Sequence, residues 1–187
     1  ALMVTGSHIP ADRNGIKFYR PDGEIDKTDE QAILALAAIA EADPAVRVAR
    51  PNHFPDEREE TTARFMARNG GLLAAHALAG LRIGVYQHST VARDMLVSLL
   101  EAQGAEVVAL GRSDLFIPVD TEAVSPDTLA HLADWAAAHR LSAIVSADGD
   151  GDRPLVAAEA GLPLRGDLLG LIAARYLGAS VAVTPVT

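Results

Sequence analysis

Apolar positions come in short blocks whose spacing changes once along the chain, and that change organises the sequence. Leu2-Met3-Val4 reads as a short buried strand running into Thr5-Gly6-Ser7-His8-Ile9-Pro10, a loop with no periodic pattern. Ile16 to Tyr19 is a second strand, stopped by the turn Pro21-Asp22-Gly23. Thr28 with Gln31 three residues on predicts a capping-box start, and Ile33, Leu34, Leu36, Ala37 and Ile39 follow at helical spacing. Pro44, Pro51 and Pro55 interrupt the pattern. A helix predicted from about Asp56 to Asn69 ends at Gly70-Gly71, which suggests a domain joint.

From Leu81 the texture becomes strand–helix alternation. Strands are predicted at Arg82–Tyr86, Ala105–Leu110, Leu141–Ala147 and Leu155–Ala157, with a further one starting at Val181-Ala182-Val183. Helices are predicted from Val91 to Gln103, closed by Gly104, from the cap Ser125 to His139, and from Asp167 to Leu177. Strands separated by helices of this length imply an α/β fold: three-layer α/β/α domains with mixed, mainly parallel sheets. Ligands in such folds sit at loops beyond the carboxyl ends of strands. The loops at Ser7 and at Asp148 both occupy that position.

Composition narrows the function classes. The 187 residues are 49% hydrophobic and 22% charged, ordinary for a folded chain with a sizeable core. No apolar run approaches eighteen residues, so no helix is expected to span a membrane. The first residues lack the basic and apolar segments of a signal peptide. Cysteine is absent, which removes disulfides, thiolate metal sites and cysteine nucleophiles. These features fit a cytoplasmic protein. A formal charge of −9 argues against a nucleic-acid partner, yet a few local cations still suffice for a small phosphorylated ligand.

Asp148-Gly149-Asp150-Gly151-Asp152-Arg153 is the most specific feature. Three carboxylates at alternate positions converge on one cation only if the chain curls tightly, and the two glycines permit that curl. Hard oxygen ligands select Mg²⁺, Ca²⁺ or Mn²⁺. An EF-hand also begins D-x-D-x-D, and Glu159 falls at its twelfth position. Its sixth position needs Gly where Arg153 stands, and it needs a preceding helix where Ala143-Ile144-Val145 is strand-like. An aspartyl-phosphate phosphatase, with Asp148 as nucleophile, suits the strand but not the third Asp. A Ca²⁺-binding module remains a non-enzymatic alternative.

The Ser7 loop is flanked by Arg13, Asn14, Lys17 and Arg20, an environment suited to a phosphoryl group. Lys17 can act as a general acid/base if burial or neighbouring cations lower its pKa. Other motifs carry less. Arg165-Gly166-Asp167 places Asp167 as a helix cap, His88-Ser89 reads as a polar cap opening a helix, and Trp135 reads as core.

Taken together, Thr5-Gly6-Ser7-His8-Ile9-Pro10, Asn14-Gly15-Ile16-Lys17 and the acidic loop resemble the signatures of the α-D-phosphohexomutase superfamily. Gly6, Ile9 and Pro154 depart from the commonest versions of those motifs. The resemblance implies that Ser7 is the phosphoserine and that Asp148, Asp150 and Asp152 hold Mg²⁺ together with a phosphoserine oxygen. It makes Lys17 the general acid/base and Arg153 a support for the phosphoryl group, with His8 and Asn14 as further phosphate or substrate contacts. The implied reaction moves phosphate between C6 and C1 of a hexose through a bound hexose 1,6-bisphosphate. The expected substrates are mannose or glucose phosphates, with phosphoglucosamine mutase as the alternative. By this resemblance residues 1–78 are the later part of a first domain, 79–178 a second, and 179–187 the first strand of a third. The loops that select the sugar and bind its phosphate in the third and fourth domains have no counterpart in these residues. Alone they are expected to bind Mg²⁺ but to turn over hexose phosphate poorly. Oligomeric state is not indicated.

Overall fold

A computed structural model describes residues 1–5, 13–43 and 55–184. The chain divides into two compact units, Ala1–Ala63 and Arg64–Thr187.

In the first unit, β1 (Leu2–Thr5), β2 (Gly15–Arg20) and β3 (Gly23–Glu24) form an antiparallel sheet in that order. Leu2 pairs with Phe18 and Thr5 with Gly15, so residues 6–14 connect two strands of one ladder. This sheet is the antiparallel share of the mixed sheets expected. Nor is β1 buried: Leu2 and Val4 are 68% and 65% exposed, and only Thr5 is covered. Its sole ladder partner among the described residues is β2, and the face that carries Leu2 and Val4 is exposed.

Helix α1 (Lys27–Ala42) starts earlier than the Thr28 cap predicted. Asp26 is the N-cap: its Oδ1 accepts from the Thr28 and Asp29 amides, and the Asp29 carboxylate accepts from the Asp26 amide. Those amide donors hold the Asp26 carboxyl below its ordinary pKa. A second helix, α2 (Arg58–Gly70), ends where Gln103 Nε2 donates to the Gly70 carbonyl.

The second unit alternates as the sequence predicts: β4 (Arg82–Tyr86), α3 (Arg93–Ala102), β5 (Glu106–Leu110), α4 (Pro126–His139), β6 (Ala143–Ala147), β7 (Pro154–Ala158) and α5 (Gly166–Tyr176). The strand order is β5-β4-β6-β7. Strand β4 runs parallel to both β5 and β6, and β7 returns antiparallel to β6. The connection from β4 to β5 steps one way across the sheet and that from β5 to β6 steps back. Right-handed crossovers therefore put α3 and α4 on opposite faces, which gives the three layers.

Alternation along β4 assigns the faces. A Cβ added to Gly84 would lie 2.7 Å from both Leu110 and Leu141, within the cluster that also holds Tyr86, Ile144, Leu155 and the α4 residues Leu132 and Ala136. That face packs on α4. Ser125 caps α4 by accepting from the Thr128 amide, and Arg140 in left-handed geometry ends it. Asp167 is not the cap of α5. The N-cap is Arg165, and Asp167 lies in the first turn with Oδ1 accepting from the Leu168 amide. Val181–Val183 form no strand, since no described residue offers them a ladder. No helix among the described residues is long and apolar enough to cross a membrane.

The turn after β7 packs against the α4 backbone. Gly161 has φ +73°, and a Cβ there would stand 2.6 Å from backbone atoms of Leu132 and Ala133. Gly170, inside α5, has open space around it. Gly161→Ala is therefore expected to cost about 2–3 kcal/mol, whereas Gly170→Ala should add up to ~1 kcal/mol. Urea midpoints of the two variants should shift in opposite directions, and a Gly161→Ala protein as stable as the parent would contradict this packing.

Candidate metal centre and its surroundings

The acidic loop is the tip of a hairpin. Strand β6 ends at Ala147, which pairs with Pro154 at the start of β7, and residues 148–153 turn the chain. Asp148 is 6% exposed and organises the turn around itself. Its amide donates to the Arg153 carbonyl at 3.0 Å, and its Oδ1 accepts from the amides of Gly151 at 3.1 Å and Arg153 at 3.3 Å. Gly151 holds φ +84°, a conformation that disfavours any side chain.

This curl brings the predicted ligands together. One carboxylate oxygen from each of Asp148, Asp150 and Asp152 lies within 4.8 Å of the others. Burial, and next the charges of Asp150 and Asp148, push the Asp152 carboxyl above its ordinary pKa, with Arg153 partly opposing. An all-oxygen, anionic, closely spaced donor set fits a hard divalent cation of the Mg²⁺, Mn²⁺ or Ca²⁺ class. The strand leading into the loop removes the EF-hand alternative, which requires a helix there. Arg153 pairs with Glu122 at 3.4 Å.

A wall the sequence did not disclose comes from the β4–α3 connection. His88 was expected to cap a helix, but the N-cap of α3 is Ala92 and makes no side-chain cap bond. His88 is instead fully buried, with Nε2 2.8 Å from the Ala147 carbonyl. Burial, above all, lowers its pKa, opposed by that hydrogen bond and by Asp148. Its ring packs on Tyr86 with centroids 4.9 Å apart, and Tyr86 packs in turn on Trp135 at 5.1 Å. Trp135 is only partly buried, at the edge of the core rather than within it. Ser89 ties the connection to Ile117, donating to its carbonyl and accepting from its amide. The Val91 amide donates to the Gly149 carbonyl at 3.1 Å. A Cβ on Gly151 would meet Ala92 at 3.3 Å, and one on Gly149 would meet the Phe116 ring at 3.4 Å. A histidine ending a parallel strand next to the acidic strand was the available signal, visible only once strand order is known.

The remaining predicted residues belong to the first unit. Ser7 and His8 lie outside the described residues. Asn14 is exposed just before β2. Lys17 lies on β2 opposite Met3 and lines a groove of about 390 Å³ with Phe18, Ile33, Glu24 and Glu30.

Comparison with known proteins places these features in one family. The model for phosphoglucomutase/phosphomannomutase alpha/beta/alpha domain II matches residues 64–161, and that for domain I matches residues 1–43. A phosphomannomutase of Sinorhizobium fredii is 56% identical over 187 residues, covering all of this chain and 40% of the relative. One from Salmonella muenchen is 46% identical over 192 residues, again across the whole chain and 38% of the relative. A phosphoglucosamine mutase of Dinoroseobacter shibae is 30% identical over 181 residues, 94% of the chain and 39% of the relative. The chain thus spans about two fifths of the curated relatives it matches. In fold it is similar to a phosphoglucomutase/phosphomannomutase family protein from Burkholderia thailandensis, with a TM-score of 0.68 at 24% identity over 95% of this chain and 37% of that one.

The carboxylate repulsion has a measurable sign. A raised Asp152 pKa means that the native state holds this proton more tightly than the unfolded chain. The corresponding stability is full below the ordinary value of 3.8 and is lost as pH rises through the raised one. At pH 7 Asp152→Asn is therefore expected to raise the melting temperature of the metal-free chain by ~1 °C. If the triad takes up Mg²⁺, excess Mg²⁺ is expected to raise the parent's midpoint further, and the variant should lose most of that rise. A lower metal-free midpoint in the variant would contradict the repulsion.

Proposed function

Because this chain belongs to the phosphoglucomutase/phosphomannomutase family, we propose that it supplies the phosphoryl-transfer machinery of a phosphohexomutase, an isomerase that interconverts hexose 6-phosphate and hexose 1-phosphate. The observation that carries this reading is the convergence of Asp148, Asp150 and Asp152 at the carboxyl end of a parallel strand. Mannose and glucose phosphates are the favoured substrates, since relatives named phosphomannomutase match more closely than those named phosphoglucosamine mutase.

In this reading the three aspartates would hold Mg²⁺, which would supply electrostatic stabilisation of the phosphoryl oxygens. Ser7 carries the phosphoryl group. The substrate hydroxyl oxygen attacks phosphorus while Lys17 Nζ, as general base, takes the hydroxyl proton, and the bond from phosphorus to Ser7 Oγ breaks to leave a serine alkoxide that accepts a phosphoryl group again in the second transfer. Arg153 and Asn14 orient the phosphoryl oxygens, and His8 adds a further contact. The resulting hexose 1,6-bisphosphate turns over within the site and returns its other phosphoryl group to Ser7, Lys17 now giving back the proton. Residues 1–78, 79–178 and 179–187 would correspond to three successive parts of the mutase. We expect these 187 residues alone to bind Mg²⁺ while turning over hexose phosphate poorly, given the share of the relatives that they span.

Phosphate uptake tests the assignment. Incubation with glucose 1,6-bisphosphate and Mg²⁺ should add one phosphoryl group by intact mass, and Ser7→Ala should abolish it. Lys17→Ala should slow the uptake by about 10²–10⁴-fold. A Ser7→Ala chain that still takes up phosphate on Asp148 would point instead to an aspartyl-phosphate phosphatase-like hydrolase.

A further inference from the structure

His88 is remote from the acidic loop in sequence, yet it meets the residue on which that loop begins. The β4–β6 ladder pairs Ile83 with Ala143, Gly84 with Ile144 and Val85 with Val145. Past that point Ser146 Oγ donates to the Tyr86 carbonyl at 2.6 Å, and the backbone amide of Gln87 turns to the Leu110 carbonyl of β5. The imidazole of His88 takes over as the nearer partner of the Ala147 carbonyl, at 2.8 Å, with Ser146 Oγ a second donor at 3.3 Å. A carbonyl oxygen accepts, so Nε2 bears the hydrogen. Nδ1, buried as well, has no hydrogen-bond partner among the described residues.

The imidazole is itself anchored. The His88 carbonyl accepts from the Ser113 amide at 2.9 Å and from Arg93 at 3.3 Å, and the same Arg93 nitrogen donates to the Ser113 carbonyl. Three residues on, the Val91 amide holds the Gly149 carbonyl. The carbonyls on both sides of Asp148 are thus gripped by one segment, His88–Val91.

We propose that His88 is a positioning residue for the metal loop: its Nε2–H fixes the peptide that precedes the first carboxylate ligand, and so sets where Asp148 stands. The proposal rests on the metal reading above. It assigns to a buried histidine outside the ligand set the role played generally by residues that hydrogen-bond to metal-ligand segments, whose loss costs about 10–100-fold in metal affinity.

The test is a Mn²⁺ titration of the full chain, with the free ion followed by electron paramagnetic resonance and the melting temperature recorded on the same samples. His88→Met removes the donor at similar volume, and is expected to weaken Mn²⁺ binding by about tenfold or more. His88→Gln places an amide nitrogen the same number of bonds from Cβ, and should bind within about threefold of the parent. His88→Asn is one bond too short, and should behave as His88→Met does even where the Met variant folds poorly. A merely structural histidine would lower melting temperature in all three without separating Gln from Asn. Unchanged Mn²⁺ affinity in folded His88→Met, or equal weakening in Gln and Asn, overturns the proposal and leaves the metal reading standing. Failure of the parent chain to take up Mn²⁺ overturns both.

Discussion

Three carboxylates held within 4.8 Å of one another repel, and the second unit accommodates that repulsion in its backbone. Two unit charges 4 Å apart repel by about 1 kcal/mol in water and about 4 kcal/mol near a protein surface. Left to itself a six-residue turn would relieve this by opening. It is kept closed by amides: Gly151 and Arg153 donate to one oxygen of Asp148, and Asp148 donates to the Arg153 carbonyl. The first aspartate is therefore both a candidate ligand and the keystone of its own loop. That explains why it is the most buried of the three.

Much else in that unit follows from where the turn has to be. Parallel pairing of β4 with β6 sets their carboxyl ends side by side, so the β4–α3 connection reaches the acidic loop directly. Gly84 lets β4 approach Leu110 and Leu141, keeping the sheet tight beneath the site. Tyr86, one face of which supports His88, ties this end of the sheet through Trp135 to α4. Core and site are thus joined by a continuous run of ring contacts.

The sequence was most legible where local chemistry is unambiguous. Arg82–Tyr86 matched its strand residue for residue, Ser125 capped α4 as predicted, and the alternate spacing of Asp148, Asp150 and Asp152 does bring their carboxylates together. It was least legible where two local solutions compete or where tertiary context decides. Asp26 with Asp29 and Thr28 with Gln31 both satisfy a capping pattern, and only the backbone geometry of Asp26 selects the first. Leu2 and Val4 looked buried because apolar strands usually are, but burial needs an opposing surface that no local pattern encodes. His88 was opaque for a third reason: its partner lies 59 residues away, and only strand order brings the two together. Nothing in the described residues bears on the geometry of Ser7, whose assignment stands on the family.

The acidic loop and the segment that contains Ser7 are bounded alike. Residues 6–14 run from a strand ending at Thr5 to one beginning at its ladder partner Gly15, and residues 148–153 lie between the paired Ala147 and Pro154. Each segment thus leaves and re-enters the fold at one rung of an antiparallel ladder. The entropy of bringing its ends together is absorbed by strand pairing rather than by whatever binds there. Affinity at such a tip depends on the fraction of molecules whose last rung is closed. Side chains further down β6 and β7, such as the paired Val145 and Val156, therefore bear on how firmly the acidic loop is closed without belonging to it.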